Sequence, residues 1–297
     1  MSIASVAPPH RRADAVTAIG LTVLLWASAF PGIRAGLAGF SPGELAALRF
    51  AVASAALVVY AAATRMRLPP RRDWPRIALA GAIGIAGYNI ALNLGETTVS
   101  AGAASFIVNT VPVFTAFLAI GWLGERLTRY GWTGIAVSFA GVTIIALADA
   151  GGLRFSWGAL FVLAAAVCQA LYFVLQKSLL QRYGALPLTT WVVWTGTLFL
   201  LPWLPGSLEA TVSAPNSAVL AAVYLGLLPG AVAYIAWSYA LARYPTSRAA
   251  TFLYLVPPVA TLIAVIWLGE RPSAAALVGG ALTLGGVILV NTRGRRV

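Results

Sequence analysis

The chain has 297 residues, of which 60% are hydrophobic and only 9% are charged, and its mean hydropathy is +0.86. Soluble domains carry about 25% charged residues, so this composition excludes an ordinary soluble protein and predicts an integral membrane protein. The net charge of +12 does not indicate nucleic-acid binding, because almost every basic residue lies between apolar runs. The single cysteine, Cys168, excludes an internal disulfide and a cysteine metal site.

Ten apolar runs are long enough to cross a bilayer as helices, since about 20 residues span the hydrocarbon core. In chain order they cover residues 15–37, 43–64, 75–96, 101–122, 130–148, 156–180, 187–204, 217–242, 248–268 and 274–292. Short linkers with turn-forming residues separate the runs, and no segment is left for a soluble domain. The predicted fold class is therefore all-α and integral to the membrane, with residues 1–297 in one membrane domain.

The basic residues are distributed unequally between the two ends of these spans. One end holds Arg11, Arg12, Arg65, Arg67, Arg71, Arg72, Arg76, Arg126, Arg129, Lys177, Arg182, Arg243, Arg248, Arg293, Arg295 and Arg296. The other end holds Arg34, Arg154 and Arg271, and Arg49 lies within the second span. Because basic residues concentrate in cytoplasmic loops, both termini are predicted to be cytoplasmic.

An internal repeat divides the chain. The pentapeptide WLGER occurs at residues 122–126 and again at 267–271, which is 145 residues later. The same offset superimposes further pairs: Pro112 and Pro257, Gly134 and Gly279, and Gly141 and Gly286. Such self-similarity indicates a duplication, with residues 1–150 and 151–297 as the two halves.

Each half holds five spans, and five is an odd number. The second half must therefore enter the membrane from the opposite side, which predicts two inverted repeats related by a pseudo-two-fold axis in the membrane plane. This architecture is typical of secondary transporters that expose a central site to each side in turn. WLGER itself is interpreted as a helix end, with Gly124 and Gly269 as left-handed caps and Thr128 and Ser273 capping the next helices; a gating contact is the alternative.

Several motifs carry a family resemblance over essentially the whole chain. They are WASAF at residues 26–30, P-x-x-L-A-A-L-R-F at 42–50, a mid-helix proline followed by WLGER in spans four and nine, and G-x(6)-G in spans five and ten. In these the chain resembles the drug/metabolite transporter superfamily, and within it the ten-helix transporters made of two EamA-type repeats. The likeness to bacterial exporters of aromatic amino acids implies efflux across the inner membrane.

Polar and aromatic residues near the middle of the spans are candidates for solute binding, because such groups are costly in hydrocarbon without a partner. The candidates are Trp26, Tyr88, Asn89, Asn93, Asn109, Gln169, Tyr172, Tyr234, Trp237 and Tyr254. Two pairs occupy equivalent repeat positions, namely Trp26 with Gln169 and Asn109 with Tyr254. The alternative is that the rings pack or anchor at the interface and that the amides bond neighbouring helices.

Three prolines inside spans are candidate hinges, because proline removes a helical hydrogen bond and kinks the helix. They are Pro112, Pro229 and Pro257. A passive packing kink is the alternative interpretation.

The charged residues argue against a proton relay. No acid lies at mid-bilayer, Glu44 and Glu96 lie near the external ends of their spans, and the only histidine is His10 in the N-terminal segment. These positions favour a facilitator driven by the gradient of the solute, unless Glu96 or Glu44 opens onto the cavity. For Arg49 we expect a structural ion pair or an outward, snorkelling side chain, with contact to a solute carboxylate as the alternative.

The sequence thus predicts a multi-pass transporter of the bacterial inner membrane that exports amino acids, aromatic ones included, and related small metabolites by alternating access. Its predicted partners are a small solute and the lipid bilayer, without nucleic acid, metal or cofactor; a monomer is compatible with the sequence, which leaves the oligomeric state open. A multidrug or other metabolite exporter of the same superfamily, proton-coupled or not, is the alternative. A membrane-embedded enzyme is disfavoured, since no acid–base or nucleophilic set is present.

Overall fold

The part of the chain that a computed structural model describes, residues 9–123, 127–149, 156–243 and 246–294, is folded almost entirely into helices. Ten of these helices are long and apolar enough to cross a membrane. They are α1 (Asp14–Gly36), α2 (Pro42–Ala63), α3 (Arg71–Glu96), α4 (Ala101–Leu118), α5 (Arg129–Ala148), α6 (Trp157–Tyr183), α7 (Ala185–Ser213), α8 (Asn216–Leu241), α9 (Ala249–Leu268) and α10 (Ala274–Arg293). The all-α fold and the ten predicted spans are confirmed.

The helices that occupy third place in each half carry the same irregularity. In α3 the segment Ala82–Gly87 is a π-helix, and in α8 the segment Leu228–Val232 is also a π-helix and contains Pro229. π-Helical turns are rare and leave carbonyl groups displaced from regular helical bonding. Their recurrence at matching positions shows that the duplication preserved a distortion as well as a sequence.

The fourth helices of the two halves are interrupted immediately before their prolines. Helix α4 breaks at a turn formed by Asn109 and Thr110, and α9 contains the 3₁₀ segment Leu253–Leu255. Pro112 and Pro257 are each the second residue of the helical segment that follows. Proline is tolerated there because the first turn of a helix has no use for its missing N–H.

Glycines bring α5 and α10 into backbone contact. A Cβ atom added to Gly134 would lie 2.7 Å from the carbonyl oxygen of Gly286, and one added to Gly141 would lie 2.5 Å from that of Gly279. Gly134, the earlier glycine of α5, thus contacts Gly286, the later glycine of α10, so these two helices run antiparallel. Because they are repeat equivalents, the two halves are inverted with respect to each other.

A reciprocal pair of hydrogen bonds crosses the same contact. The Ser138 hydroxyl donates to the Thr283 carbonyl oxygen at 3.2 Å, and the Thr283 hydroxyl donates to the Ser138 carbonyl oxygen at 3.4 Å. Both residues are fully buried, and they are separated by the 145 residues of the repeat. A residue that bonds its own repeat equivalent must lie beside the pseudo-two-fold axis.

Several further helix contacts obey the same symmetry. Helix α1 packs against α8 and α9, and its equivalent α6 packs against α3 and α4. Helix α2 packs against α8, and α7 packs against α3, while α2 with α7 and α4 with α9 contact each other directly. Each of these contacts therefore has its symmetry mate, and α1, α3, α6 and α8 surround the centre of the protein.

The ends of several helices follow the sequence-based interpretation. Gly269 ends α9 with φ of 67°, in the left-handed region that favours glycine. The hydroxyls of Thr128 and Ser273 accept hydrogen bonds from the backbone N–H groups of Gly131 and Ala276, so both act as N-caps. The predicted cap at Gly124 lies outside the described residues.

One predicted boundary differs from the structure. We expected the seventh span to end at residue 204, whereas α7 continues through the 3₁₀ turn Leu201–Trp203 and the helix Leu204–Ser213. Pro205 is the second residue of that second segment, where proline is compatible with a helix, so the helix continues past it.

Two adjacent glycines of α10 provide a matched test of the helix contact. A Cβ atom at Gly286 would lie 2.5 Å from backbone atoms of Gly134 and Ser138, whereas one at Gly285 has nothing within 4 Å. We expect Gly286→Ala to destabilise the purified protein by about 1–3 kcal/mol through overpacking, and Gly285→Ala to have little effect. Thermal unfolding in detergent measures this difference, and equal stabilities of the two variants would contradict the contact.

Candidate functional site

An aromatic cluster lies between α1 and α8. The Trp26 ring meets the ring of Tyr234 edge-on, with centroids 5.4 Å apart, and meets the tilted ring of Trp237 at 5.6 Å. Aromatic pairs in such arrangements contribute about 0.5–1.5 kcal/mol each beyond their buried area. All three rings are only partly buried, so each keeps open surface. We call Trp26, Tyr234 and Trp237 the aromatic cluster.

Arg49 of α2 is an electrostatic neighbour of Tyr234 in this cluster, and two of its three side-chain nitrogens have no hydrogen-bond partner. Only 6% of the residue is exposed, and its Nε and Nη1 atoms have no hydrogen-bond acceptor. Its guanidinium lies 5.1 Å from the centroid of the Phe50 ring, and Tyr88, Tyr234 and Glu96 are its electrostatic neighbours. No ion pair of Arg49 occurs within the residues that the structure describes.

The expected roles of Arg49 as a structural ion pair or an outward, snorkelling side chain are therefore wrong. The side chain is buried, which excludes an outward position, and its two unbonded nitrogens exclude a structural ion pair there. The buried face of α2 carries Leu45 and Ala53 as well as Arg49. The rotation of α2 about its own axis thus decides whether this arginine faces lipid or the interior, and the sequence alone does not fix that rotation.

Three polar residues of α3 share one buried face, because they are spaced by four and three positions. Asn89 and Asn93 are 2% and 0% exposed. Asn89 donates to the Ile85 carbonyl oxygen inside the π-helical segment at 2.8 Å, and Asn93 donates to the Pro42 carbonyl oxygen of α2 at 2.8 Å while its Oδ1 has no partner. Asn93 thus bonds a neighbouring helix and still keeps one unbonded acceptor, whereas Asn89 bonds its own helix.

Glu96 ends this polar face. The residue is fully buried, and both of its carboxyl oxygens lack hydrogen-bond partners. Its electrostatic neighbours are Arg34, Glu270 and Arg49. The position of Glu96 at the end of a span agrees with the sequence-based expectation, and the structure adds that its carboxyl group is completely buried.

Arg34 and Glu270 connect Glu96 to the end of the helix bundle. Arg34 donates through Nη1 to the Glu96 carbonyl oxygen at 2.6 Å, and its Nε lies 3.7 Å from the Glu270 carboxylate. Glu270 also accepts from the backbone N–H of Ala101 at the start of α4, at 3.1 Å. Glu270, the glutamate of the second WLGER, therefore connects the end of α9 to α1 and α4 and is not only a turn residue.

A cavity of about 300 Å³ opens at this end of the bundle. Its polar lining includes Arg34, Thr98, Ser100, Glu270 and Arg271. Thr98, which lines this cavity, is two residues along the chain from Glu96. Arg34 and Glu270, which are electrostatic neighbours of Glu96, also line the cavity. We call it the end cavity.

Two further predicted residues lie close to the aromatic cluster. Tyr88 interacts electrostatically with Tyr234, Arg49 and Glu96. Tyr172 of α6 is 6% exposed, and its ring lies on Gly84 in the π-helical segment of α3, where a Cβ atom would come within 2.5 Å of it. Gly84 therefore lets α6 approach α3 closely enough to place Tyr172 against the centre of the protein.

Tyr254 contacts another part of the molecule. It packs against Val113, Val287 and Val290, and its hydroxyl accepts from Nδ2 of Asn291 on α10. Tyr254 lies within the 3₁₀ segment Leu253–Leu255, and among the described residues its ring does not contact that of Trp26. Asn109 lies at the break of α4, and Gln169 is a partly exposed residue of α6.

Sequence reasoning underrated Arg49 and Glu96, although one signal was available for both. Each is an ionisable residue within or at the end of a long apolar run, and such residues face the protein interior or a wet cavity. The structure shows in addition that neither side chain has an oppositely charged partner within hydrogen-bond distance among the described residues.

Comparison with known proteins matches this architecture. The model of the EamA-like transporter family matches residues 15–147 and again residues 156–292. A crystal structure with 22% sequence identity superimposes with a TM-score of 0.58, covering 94% of this chain and 96% of the other, which supports the fold.

Curated relatives cover nearly the whole chain. The chain is 47% identical to the "Probable terminal-alkyne amino-acid exporter" of Streptantibioticus cattleyicolor, over 95% of both proteins. It is 44% identical to the "Uncharacterized transporter YdfC" of Bacillus subtilis, over 90% of this chain and 87% of the relative. The "Probable amino-acid metabolite efflux pump" of Salmonella typhimurium is 27% identical over 93% of this chain and 94% of the relative.

The duplicated family match, the ten apolar helices and the relatives agree on a multi-pass membrane transporter and not an enzyme. The chain belongs to the EamA-like transporter family of the drug/metabolite transporter superfamily.

Proposed function

We propose that this transporter exports amino acids, aromatic ones included, from the bacterial cytoplasm across the inner membrane by alternating access. The observation that carries the proposal is Arg49, a buried guanidinium with unbonded nitrogens beside the aromatic cluster. In this arrangement the solute carboxylate binds Arg49 and the solute side chain lies against the rings of Trp26, Tyr234 and Trp237.

The guanidinium supports an anionic group on the solute. A buried charge without a partner costs several kcal/mol, and the planar fork of arginine matches the two oxygens of a carboxylate. A bound carboxylate relieves this cost, because it supplies the acceptors that Nε and Nη1 lack. The free energy of that contact is therefore large in the buried site and small in water.

The aromatic cluster supports an apolar side chain on the same solute. Edge-on and tilted rings accept both flat and aliphatic groups, and tyrosine and tryptophan also have polar atoms for water or an amine. The relative named for a terminal-alkyne amino acid is consistent with this chemistry, since its solute combines a carboxylate with an unsaturated apolar chain.

The inverted repeats support alternating access. The breaks before Pro112 and Pro257 and the π-helical segment with Pro229 lie in helices that pack against α1 or α6, so they are suitable hinges for opening one side while closing the other. With the unequal distribution of basic residues, both termini are cytoplasmic, and the end cavity then opens to the outside.

Export of organic cations is the competing function within the superfamily. A lone cation would need the Glu96 carboxylate, but Arg49 is an electrostatic neighbour of that group and would repel the cation. The same arginine favours a solute that carries a carboxylate as well as an amine.

Counterflow in proteoliposomes tests the function directly. Vesicles loaded with an unlabelled amino acid should take up the labelled amino acid faster than empty vesicles, with phenylalanine or norvaline as first choices. Uptake driven by organic cations but by no amino acid would reject the proposal.

The aromatic cluster has a matched control on α5. We expect Trp26→Ala to weaken the apparent affinity in amino-acid exchange by about 5- to 100-fold, because one indole contributes about 1–3 kcal/mol of contact. Trp132 is 55% exposed on α5, away from the cluster, and Trp132→Ala should exchange normally. Concentration-dependent counterflow measures both, and equal affinities would place the site elsewhere.

Arg49 should show opposite effects on stability and transport. Arg49→Met removes an unpaired buried charge while keeping a similar volume, so we expect the solute-free protein to gain about 1–4 kcal/mol and to lose counterflow. Arg76→Met, on an exposed side chain of α3, should change neither property. Thermal unfolding in detergent and counterflow measure the two effects, and a destabilised Arg49→Met protein would indicate that the arginine is structural.

A further inference from the structure

Glu96 is the one buried carboxyl group among the described residues whose two oxygens both lack partners. We propose that Glu96 binds the α-ammonium of the exported amino acid and exchanges it for a proton, so that export is coupled to proton entry. This inference rests on the proposed function and adds the driving force and the second half of the solute site.

Glu96 and Arg49 are buried residues of opposite charge on α3 and α2, two helices that pack together and are joined by the hydrogen bond from Asn93 to the Pro42 carbonyl oxygen. Both residues keep unbonded polar atoms, and no ion pair joins them in the part of the chain that the structure describes. An amino acid presents an ammonium and a carboxylate on the same carbon atom. A zwitterion between the two side chains therefore satisfies both, with its carboxylate on Arg49 and its ammonium on Glu96.

The exchange balances in protons and charge. On the cytoplasmic side the carboxyl group of Glu96 releases its proton to water and the ammonium of the solute binds the carboxylate. On the external side the solute leaves and a proton from water binds a carboxyl oxygen. No covalent bond forms to the solute, one proton enters for each zwitterion that leaves, and one positive charge moves inward in each cycle.

Burial explains why Glu96 must always carry one of these two cations. An ionised carboxylate without hydrogen bonds in a low-dielectric site costs several kcal/mol more than its neutral form. In the described state no donor reaches Oε1 or Oε2. A proton or an ammonium relieves this cost, and the two compete because they use the same oxygens.

The end cavity supplies a route for the proton. Arg34 contacts both the Glu96 backbone and the Glu270 carboxylate, and Thr98 and Ser100 line the same cavity. These hydroxyls and carboxylate oxygens can hold water between Glu96 and the outside. The cavity thus reaches the neighbourhood of Glu96 from the side on which the proton must enter.

The other charged groups around Glu96 are few. Arg34 faces it from α1, Arg49 from α2, Glu270 from the end of α9, and Tyr88 from its own helix. Helix α4 has no ionisable residue, and α6 meets the neighbouring Gly95 with Gly158 and Val162.

Gradient-driven uptake is the decisive measurement. Proteoliposomes with an acidic interior and the membrane potential clamped should accumulate labelled amino acid by up to about tenfold per pH unit, as one-for-one exchange requires. We expect Glu96→Gln to abolish this accumulation while retaining weakened counterflow through Arg49 and the aromatic cluster. Glu96→Asp, which keeps a carboxyl group, should restore part of the accumulation.

Glu44 provides the matched control. It is a carboxylate near the same membrane face, but it accepts a hydrogen bond from the Ser41 backbone N–H at 2.8 Å and is not an electrostatic neighbour of Glu96. Glu44→Gln should accumulate solute as the unchanged protein does. Accumulation that persists in Glu96→Gln would overturn the proposal.

Binding in detergent gives a second measurement for the case that Glu96→Gln does not fold. The apparent affinity of the unchanged protein for an amino acid should fall by about tenfold per pH unit on the acid side, since proton and ammonium are linked competitors. An N-acetylated amino acid, which has no ammonium, should bind without this dependence. Equal pH dependence for both ligands would contradict the role of Glu96.

The outcomes separate the two proposals. If no amino acid exchanges in counterflow, the proposed function fails. If amino acids exchange but never accumulate in a pH gradient, the function stands and proton coupling through Glu96 is wrong.

Discussion

A polar group inside the hydrocarbon core must find its partner within the protein, because no water is present to replace it. The backbone meets this constraint through helices, and the hydroxyls of Ser138 and Thr283 meet it by bonding across the contact of α5 and α10. Arg49 and Glu96 do not meet it. Asn93 and Trp191 each keep one unbonded buried polar atom as well, but Arg49 and Glu96 are the charged exceptions among the described residues, and their opposite charges indicate a binding site.

The scaffold is symmetric, whereas the site is not. Glycine contacts, π-helical segments and proline breaks recur in both halves. The charged residues of the site come from the first half, and two of the three rings of the aromatic cluster come from α8 in the second. At the place in α7 that corresponds to Arg49 of α2, the chain has buried, uncharged residues that include Thr190 and Val192. The features proposed to serve alternating access are therefore the ones that the duplication repeated. The residues proposed to bind the solute are the ones in which the two halves differ.

Most of the fold was predictable from the sequence because length and periodicity control it. Twenty apolar residues make a span in any context, and the offset of 145 residues identified Gly134, Gly141, Gly279 and Gly286 before their contact was visible. The site was less predictable because it depends on helix rotation. Asn89 bonds the Ile85 carbonyl oxygen inside the π-helical segment of α3, and Tyr254, which lies within the 3₁₀ segment of α9, bonds Asn291. Such irregularities shift the direction of a side chain without changing the hydrophobic pattern.

Unpaired charges also give a physical reason why this transporter would change conformation only with a solute or a proton bound. During alternation the site is closed to water on both sides, and the cost of a bare buried charge is then greatest. Solute relieves the cost at Arg49 and Glu96 together, and a proton relieves it at Glu96. With neither bound, Glu96 would cross the closed state as a bare carboxylate, and that barrier suppresses the empty cycle. Tight pairing of the two residues would remove the barrier and allow the solute gradient to dissipate, so their separation is the feature that selection for coupled transport would retain.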